Sequence, residues 1–571
     1  MDGGRRENGR SAPAPQPEAR IQEDGLAAEE AAYAVAEATE AFAPGGMAVE
    51  PAAQAAQVAA QEGQTQAGAP SAPAPEARGR ARAIRASIRQ AEERKSVGRS
   101  VFRLAWPAIA ENALQTLLGI VDTAVVARLG TAALSGVGAS QQLIWVLTTA
   151  LIAVSMGTTV LVARFTGASQ VERANAVLKQ SLLLAALVGA VLIPIGFLSH
   201  PLLTMLGLTP AAVEQGAIYL QITLVMGMVV VLMFVAGAAL RGAGDTKTPM
   251  LVTGFINVIN AVLAIELVFG GDRASGIFTD WLRALTHLQV TVPGLSWVPG
   301  MGVAGSAWAA VIARSIGTVI LLSLFLLPRS PLQLWSRGSW LPSADLIGRI
   351  LKIGIPSAVE QLLMSLGILI YSLIVIGMGE LLFATSRLAI NAVFLSQMPG
   401  FGFAMAATTL VGQSLGARQP ERAWLSARLA TRSALVWMST MGAVFFFFGR
   451  PILSVLTDDP RLLDLGDQAM KVIAFSQPPL ALAFVLAGAL RGAGDVRFPM
   501  WVTTIAVWLI RIPTGVFLGL GSVCIPFTSV CLPGLGLGLP GIYGALIVES
   551  SVRALLFYLR FRAGKWQTIK V

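Results

Sequence analysis

Twelve long apolar segments, separated by shorter polar ones, follow one another along the chain from Leu104 onward. Each reaches about 20 residues, the length that a helix needs to cross a hydrocarbon layer of about 30 Å. The pattern therefore predicts twelve membrane-spanning helices and an all-α integral membrane fold. The expected spans are 104–127, 138–163, 178–198, 213–239, 249–270, 302–327, 349–377, 388–412, 430–449, 470–490, 499–520 and 541–561.

A polar turn occurs twice in this pattern. The sequence AGAALRGAGDTKTPM at 236–250 returns as AGALRGAGDVRFPM at 487–500. Other polar positions repeat at a similar spacing, such as Glu111 and Glu360 in the first and seventh segments. A repeated turn with repeated surroundings indicates that the chain consists of two similar halves of six helices each.

The distribution of Lys and Arg predicts the orientation. The loops after the even-numbered segments carry most of the basic residues, whereas the opposite loops at 199–215 and 521–540 carry none. By the positive-inside rule, both termini are expected in the cytoplasm. Each half then returns to the side on which it began, so the halves are expected to be parallel repeats related by a pseudo-two-fold axis along the membrane normal.

Composition agrees with a membrane protein. Of the 571 residues, 54% are hydrophobic and 13% are charged, which is too apolar for a soluble globule of this size. The net charge of +10 lies mostly in short loops, which favours a role in topology over binding to nucleic acid. Two cysteines and two histidines do not suffice for a zinc or haem site, so no metal centre or cofactor is expected.

The segments outside the spans are assigned from composition. Residues 1–82, rich in Ala, Pro, Gln and Gly, are predicted to be a disordered cytoplasmic tail, with a lineage-specific extension or a translation start at Met47 as alternatives to a regulatory role. Residues 83–100 have a basic helical pattern, expected at the inner membrane surface or in solvent. The other predicted boundaries are 101–328 for an N-terminal six-helix lobe, 329–346 for a cytoplasmic linker, 347–562 for a C-terminal six-helix lobe and 563–571 for a cytoplasmic tail.

Three polar residues of the first segment are candidates for function. Glu111, Gln115 and Asp122 follow helical spacings together with Leu118, which predicts that they share one face, directed into a cavity. Asp122 is expected in the outer half of the bilayer, where a carboxyl can exchange a proton or bind a sodium ion. The alternative is a structural carboxyl that hydrogen-bonds between helices.

Further candidates come from the other segments. Asn257 and Asn260 lie in the fifth segment, and Asn260 is a possible partner of Asp122. In the seventh segment Tyr371 stands at the position that matches Asp122. Glu111 and Glu360 match across the repeat, which suits either gating at the inner mouth or packing against the other half. Arg314 and Arg553 also match, and Glu549, four residues before Arg553, favours a buried ion pair there.

The repeated turns do not form a phosphate-binding loop. That motif places glycine directly before lysine, whereas Thr246 precedes Lys247, and no ATP-binding domain is evident. We interpret the turns as tight cytoplasmic connections in which an aspartate caps the following helix. Their residues are Arg241, Gly242, Gly244 and Asp245 in the first half, and Arg491, Gly492, Gly494 and Asp495 in the second.

Both cysteines, Cys524 and Cys531, fall in the loop at 521–540, on the expected outer side. Six residues separate them, so the loop can close into a disulfide in an oxidising compartment. Two cysteines in one loop can also stay reduced, and the sequence leaves both possibilities open.

The chain resembles the multidrug and toxic compound extrusion (MATE) family over residues 100–565. The resemblance is carried by the two turns and by four further motifs: VDTAVVARLG at 121–130, NVIN at 257–260, TTLVGQSLGA at 408–417 and IRIP at 510–513. It implies two six-helix lobes around a cleft, and export of cationic or amphipathic organic compounds in exchange for protons or sodium ions.

The resemblance also assigns residues. Asp122 falls on the first-span acid of the family, Asn260 on its fifth-span asparagine and Glu360 on a seventh-span glutamate. One branch has a second acid at the position of Ala264, and another has a tenth-span acid where this chain reads QPPL at 477–480. These differences favour proton over sodium coupling through Asp122.

Other functions are weighed against this one. A flippase for lipid-linked oligosaccharides is the alternative transporter, but it would favour a strongly basic cavity. An intramembrane enzyme would need converging catalytic groups, and a channel would need a ring of charge. The expectation is a non-enzymatic, monomeric antiporter of the plasma (inner) membrane, whose partners are lipid and small organic cations or amphipathic drugs.

Overall fold

The computed structural model describes residues 75–571, except 148, 272, 277–298, 329, 337–339, 456, 525–530 and 570–571. Side chains are described from residue 92 onward. Residues 89–571 form one compact unit. The predicted disordered tail at 1–82 therefore lies almost entirely outside the described residues.

The predicted spans are confirmed. Nine described helices are long and apolar enough to cross a membrane, and three bent helix pairs bring the number to twelve when each pair counts as one span. Spans 1, 3, 5, 6 and 7 are Glu92–Ala127, Val171–Phe197, Lys247–Phe269, Val303–Leu324 and Ala344–Gly377, and spans 9 to 12 are Pro420–Ser454, Pro460–Gly492, Arg497–Gly519 and Gly538–Arg562. The bent spans 2, 4 and 8 are Thr131–Leu147 with Leu151–Gly167, Pro210–Val225 with Gly227–Ala243, and Glu380–Phe394 with Ser396–Gly416.

Spans 2 and 8 are bent at matching places in the two halves. The bends measure 44° in span 2 and 42° in span 8. Span 4 bends by 54°, whereas span 10, its counterpart, is a single helix that contains Pro478 and Pro479. The repeat seen in the sequence is therefore a repeat of structure, with local differences in how the helices bend.

The basic segment predicted as a juxtamembrane helix at 83–100 is continuous with span 1. One helix runs from Pro75 to Ala127 and includes both the basic segment and the span. The basic segment is rich in Ala, Arg, Glu and Gln, which are good helix formers, and it has no proline that would end the helix.

The predicted linker at 329–346 packs against span 3. Its backbone is held by Asn175 Oδ1, which accepts from Gln333 N at 2.8 Å, and by the Lys179 ammonium, which donates to the Ser336 carbonyl oxygen at 2.7 Å. Lys179 itself is buried inside span 3. Span 7 begins at Ala344, inside the predicted linker.

The C-terminal segment is folded where a cytoplasmic tail was predicted at 563–571. Lys565–Thr568 forms a 3-10 turn. Trp566 is fully buried, stacks on Phe561 with ring centroids 4.7 Å apart and donates to the Phe561 carbonyl oxygen at 2.7 Å. Aromatic stacking and a satisfied indole N–H hold this segment against the C-terminal lobe.

A short hairpin stands in the loop that contains the cysteines. The strands β1 (Ser522–Cys524) and β2 (Cys531–Pro533) are antiparallel, and Cys524 lies opposite Cys531. Directly opposed residues of such a pair have Cα atoms about 4.5–5.5 Å apart, within the range that a disulfide accepts. The cysteine side chains lie outside the described residues, so the disulfide stays a prediction.

The two repeated turns have the same backbone geometry. Gly244 and Gly494 adopt positive φ angles of 94° and 90°, which glycine reaches without steric cost. The Asp245 and Asp495 amides then donate to the Leu240 and Leu490 carbonyl oxygens, both at 2.9 Å. We call the end of the bundle that holds these turns the turn end.

Spans 1 and 7 each contribute to the core of the opposite lobe. Val101 and Leu104 of span 1 lie in the hydrophobic core of the C-terminal lobe. Ile350 and Ile353 of span 7 lie in that of the N-terminal lobe. All four residues belong to the parts of these spans that lie toward the turn end, so the two lobes are joined there by apolar packing.

Glycines bring the lobes into backbone contact near the same end. A Cβ atom added at Gly416 would lie 2.1 Å from the Arg164 carbonyl oxygen, and one added at Gly354 would lie 1.8 Å from that of Ala153. Any larger residue would force the helices apart, because protein interiors have no spare volume at such contacts.

Hydrogen bonds join the lobes at this end as well. Among the residues that the structure describes, four hydrogen bonds connect the N-terminal lobe to the C-terminal lobe and its tail, and all four lie at the turn end. Arg164 Nη2 donates to the carbonyl oxygens of Ala493 (3.2 Å) and Ile569 (2.8 Å), the Thr409 hydroxyl to that of Arg241 (3.1 Å), and the Gln413 amide to that of Gly242 (3.1 Å).

Gly416→Ala is expected to destabilise the protein, by about 1–3 kcal/mol, because the new methyl group overpacks the contact with Arg164. Gly348→Ala is the matched control, since a Cβ there meets nothing within 4 Å and the substitution favours the helix by up to about 1 kcal/mol. Thermal unfolding of both purified variants tests this. Equal unfolding temperatures would show that the helix contact is not tight.

Candidate functional site

Asp122 lies inside the N-terminal lobe among polar side chains of other spans. It is 4% exposed. Asn260 of span 5 is 1% exposed and its amide lies beside the Asp122 carboxyl. Asn257, one helical turn earlier, is also buried. The structure thus brings Asn260 of span 5 beside Asp122 of span 1, as predicted from the sequence, whereas Asn257 meets span 1 at Leu114.

This group has unused hydrogen-bonding capacity. Asp122 Oδ1, Asn257 Oδ1 and both amide atoms of Asn260 are buried and have no hydrogen-bond partner among the described residues. The Asn257 amide donates to the Leu114 carbonyl oxygen at 2.6 Å, which ties span 5 to span 1. Buried polar atoms without partners are rare, and they mark positions where an ion, a water molecule or a ligand group binds.

Two further side chains interact with Asp122, and a third hydrogen-bonds one of them. Arg314 of span 6 and Tyr219 of span 4 interact with Asp122 electrostatically, and Gln141 of span 2 hydrogen-bonds Tyr219. Within the described part of the chain, Asp122 forms no ion pair with Arg314 or any other basic residue. The carboxyl is therefore close to a positive charge without being held by it.

The arrangement suits a single small cation. The free oxygens of Asp122 and Asn260 could contribute to binding a sodium ion, or the carboxyl could take a proton, which would change its interaction with the Asn260 amide. Among the described residues, no group of three His, Cys, Asp or Glu side chains could hold a metal ion.

Gln115 does not share the buried face of span 1. Glu111, Leu118 and Asp122 are buried, whereas Gln115 is exposed. At 100° per residue, Leu118 and Asp122 lie within roughly 20° of Glu111 around the helix, and Gln115 lies roughly 40° away. The helical spacing predicted one shared face for Glu111, Gln115, Leu118 and Asp122. The buried part of that face is too narrow to include Gln115.

Glu111 and Glu360 are both ion-paired in this structure, and Glu360 Oε2 has no hydrogen-bond partner among the described residues. Each forms an ion pair with the arginine of the repeated turn in its own lobe: Arg241 Nη1 to Glu111 Oε1 at 2.8 Å, and Arg491 Nη2 to Glu360 Oε1 at 2.6 Å. The Thr503 hydroxyl also donates to Glu360 Oε1 at 2.9 Å. Each glutamate thus joins helices within its own lobe, and the roles in gating or in packing against the other half stay predictions.

The two turn aspartates differ in role. Asp245 caps span 5, as predicted, by accepting from Thr248 N at 3.1 Å. Asp495 instead binds Arg560 of span 12, with Oδ2 2.9 Å from Arg560 Nε. The predicted cap at Asp495 is not formed: Phe498 stands where Thr248 adds its hydroxyl to the cap at Asp245, and Arg560 offers a charged partner.

Tyr371 occupies the Asp122 position in the C-terminal lobe. It is buried, and its hydroxyl donates to the Ile542 carbonyl oxygen. The Arg511 guanidinium carbon lies 4.4 Å from the centre of its ring. On span 12, Arg553 Nε lies 3.1 Å from Glu549 Oε1, the predicted buried ion pair. The two lobes thus carry different chemistry at matching places.

The sequence did not single out Tyr219, Gln141 or Arg511 as site residues. They reach their clusters from spans 2, 4 and 11, and no local spacing links them to spans 1 and 7. The rarity of tyrosine was an available signal, because the chain has only five and three of them, Tyr219, Tyr371 and Tyr543, are buried in these clusters.

Comparison with known proteins supports the resemblance found in the sequence. The chain is 33% identical to "Probable multidrug resistance protein NorM" of Thermotoga maritima over 477 residues, 83% of this chain and 94% of that protein. It is 26% identical to "Multidrug resistance protein PmpM" of Pseudomonas aeruginosa over 432 residues, 74% of this chain and 84% of that one.

Solved structures share the fold. A structure described as the outward-facing conformation of a multidrug resistance MATE family transporter of the MOP superfamily matches with a TM-score of 0.70 and 21% identity, over 83% of this chain and 97% of that one. The MatE family model matches residues 107–265 and 356–517, one block in each lobe. The chain therefore belongs to the MatE family and is a multi-pass membrane transporter, not an enzyme.

Proposed function

We propose that this protein exports cationic or amphipathic organic compounds across the plasma (inner) membrane in exchange for protons or sodium ions. The observation that carries the proposal is the buried Asp122 carboxyl with unpartnered oxygen and amide atoms around it. Burying an ionisable group inside a membrane span costs free energy, so its presence there favours a role in binding an ion during the transport cycle. Two relatives are named as multidrug resistance proteins, which supports organic compounds as the exported substrates.

Alternating access is supported by the contacts between the lobes. We assign the turn end to the cytoplasm, with both termini on that side, because it carries the basic loops. The glycine contacts and four hydrogen bonds then close the cytoplasmic side, and the cation must reach Asp122 from outside. Neutralisation of Asp122 would change its interactions with Asn260 and Arg314 and so favour one arrangement of spans 1, 5 and 6 over another.

We favour the proton as the coupling ion. Ala264 stands one turn after Asn260, at a position where a second carboxyl would add negative charge to a sodium site. Asp122 is then the acid available to the cation. A single carboxyl that alternates between charged and neutral forms suffices for exchange with one proton per cycle.

Transport by purified protein in liposomes tests the proposal. The full chain is reconstituted, and movement of a fluorescent organic cation such as ethidium is followed under an imposed proton gradient, a sodium gradient or neither. We expect movement against the direction of the proton gradient, little with sodium alone, and none in liposomes that contain Asp122→Asn. Ethidium movement that depends on neither gradient would contradict coupled antiport, and movement driven by sodium alone would reassign the ion.

A further inference from the structure

The C-terminal lobe carries a positive charge inside the membrane at the place where the N-terminal lobe carries a negative one. Tyr371 matches Asp122 across the repeat, and Arg511 of span 11 lies over its ring at 4.4 Å. Arg511 is 14 residues from Arg497 at the start of span 11, roughly 21 Å along the helix, and eight residues before its end at Gly519. It is thus well inside the span.

The backbone around Arg511 is unusual. Ala506–Arg511 forms a π-helical segment, whereas the matching part of span 5 is α-helical throughout Lys247–Phe269. A π-helical turn contains one extra residue, which moves Arg511 into register with Asn260 when the repeat is counted from the aspartates of the two turns. Such segments are rare in proteins and occur frequently at functional sites.

Arg511 has no counter-ion in the described part of the chain. It forms no ion pair there, and its buried Nε has no hydrogen-bond partner. Glu549, the acid of this cluster, is paired with Arg553, and the Tyr371 hydroxyl is used by the Ile542 carbonyl oxygen. The cluster therefore has one more positive charge than negative charges.

An arginine without a counter-ion inside a span prefers certain anionic ligand groups. Its planar guanidinium matches the two oxygens of a carboxylate or phosphate group, and the pairing is strongest where water is scarce. The Arg511 residue is half-buried, with its Nε buried, and charged groups in spans face the bundle interior or a water-filled cavity.

We propose that Arg511, positioned by Tyr371 and the π-helical segment, is a binding site for the carboxylate or phosphate group of an organic molecule. The protein then has two sites of opposite preference, a cation site at Asp122 in one lobe and an anion site at Arg511 in the other. The anion site does not depend on the proposed coupling, since it requires only binding in the C-terminal lobe.

Binding of 1-naphthyl phosphate to the full chain in nanodiscs of phosphatidylcholine tests the site. The wild type is expected to bind 1-naphthyl phosphate, and its binding of 1-naphthylmethylamine, which has the same ring and a positive charge, is expected not to depend on Arg511. Arg511→Met is expected to weaken phosphate binding about tenfold or more, because the charge-assisted hydrogen bonds are lost. Arg511→Lys keeps the charge but not the planar donor pair, so an intermediate loss is expected.

Arg450→Met is the matched control, because Arg450 is exposed and paired with Asp464, and its loss is expected to leave binding unchanged.

Discs that contain phosphatidylglycerol distinguish the source of the anion. If phosphatidylglycerol weakens the binding of 1-naphthyl phosphate to the wild type but not to the Arg511 variants, the occupant is a lipid headgroup. If binding to the wild type is unchanged, the occupant is a soluble anion. Equal affinity of the wild type, Arg511→Met and Arg511→Lys for 1-naphthyl phosphate would overturn the proposal, as would absence of binding to the wild type. If Arg511→Met does not fold, the comparison with Arg511→Lys decides.

Discussion

Cells that express Asp122→Asn are expected to lose the drug resistance given by the wild-type protein. Asparagine has nearly the same size as aspartate and keeps a side-chain carbonyl oxygen, so the packing of span 1 against Asn260 should remain. It has no ionisable group, and a transporter that exchanges one cation for its cargo cannot then complete the cycle. The measurement is the minimal inhibitory concentration of an organic cation, with membrane levels of both proteins compared by immunoblot.

Asp458→Asn provides the matched control, since it makes the same chemical change at an exposed position. It is expected to keep full resistance. Full resistance in Asp122→Asn cells would mean that the charge of this carboxyl does not matter for transport, and the proposed coupling site would be wrong. Loss of resistance together with loss of the protein from the membrane would instead indicate a structural role for Asp122.

Glu111→Ala is expected to destabilise the protein by about 3–5 kcal/mol, because it leaves the Arg241 guanidinium buried without its partner. The side chains of both residues are largely buried, and the pair joins span 1 to the turn after span 4. Replacing Glu111 and Arg241 together with methionine removes both charges, so most of this loss should be recovered. Unfolding of the purified protein in mixed micelles with increasing SDS measures the free energies.

Asp345→Ala supplies the comparison for an exposed pair. Its partner Arg349 lies 3.1 Å away, but both side chains are exposed, so the expected loss is below about 1 kcal/mol. Similar losses for Glu111→Ala and Asp345→Ala would show that the buried pair contributes no more than a surface one. A double methionine variant as unstable as Glu111→Ala would show that shape, not charge, matters at this contact.

The candidate site was only partly predictable from the sequence. Asp122, Asn257 and Asn260 were found because polar residues in apolar segments are conspicuous. The partners of Glu111 and Glu360 were not found, since Arg241 and Arg491 were assigned to turns on the basis of the glycines around them. Their side chains extend back into the lobes, a direction that spacing along one helix does not reveal.

The number of spans, the repeat and the predicted orientation follow from the sequence alone. They depend on local quantities: the apolar length that crosses a membrane, the hydrogen bonds that a helix satisfies within itself and the charges of short loops. Only the tertiary structure decided the partners of Glu111 and Glu360, because these contacts join residues more than 100 positions apart, and it also decided which buried charges are free. That is why Glu111 is neutralised by Arg241, whereas Asp122 and Arg511, in opposite lobes, have no ion-pair partner among the described residues.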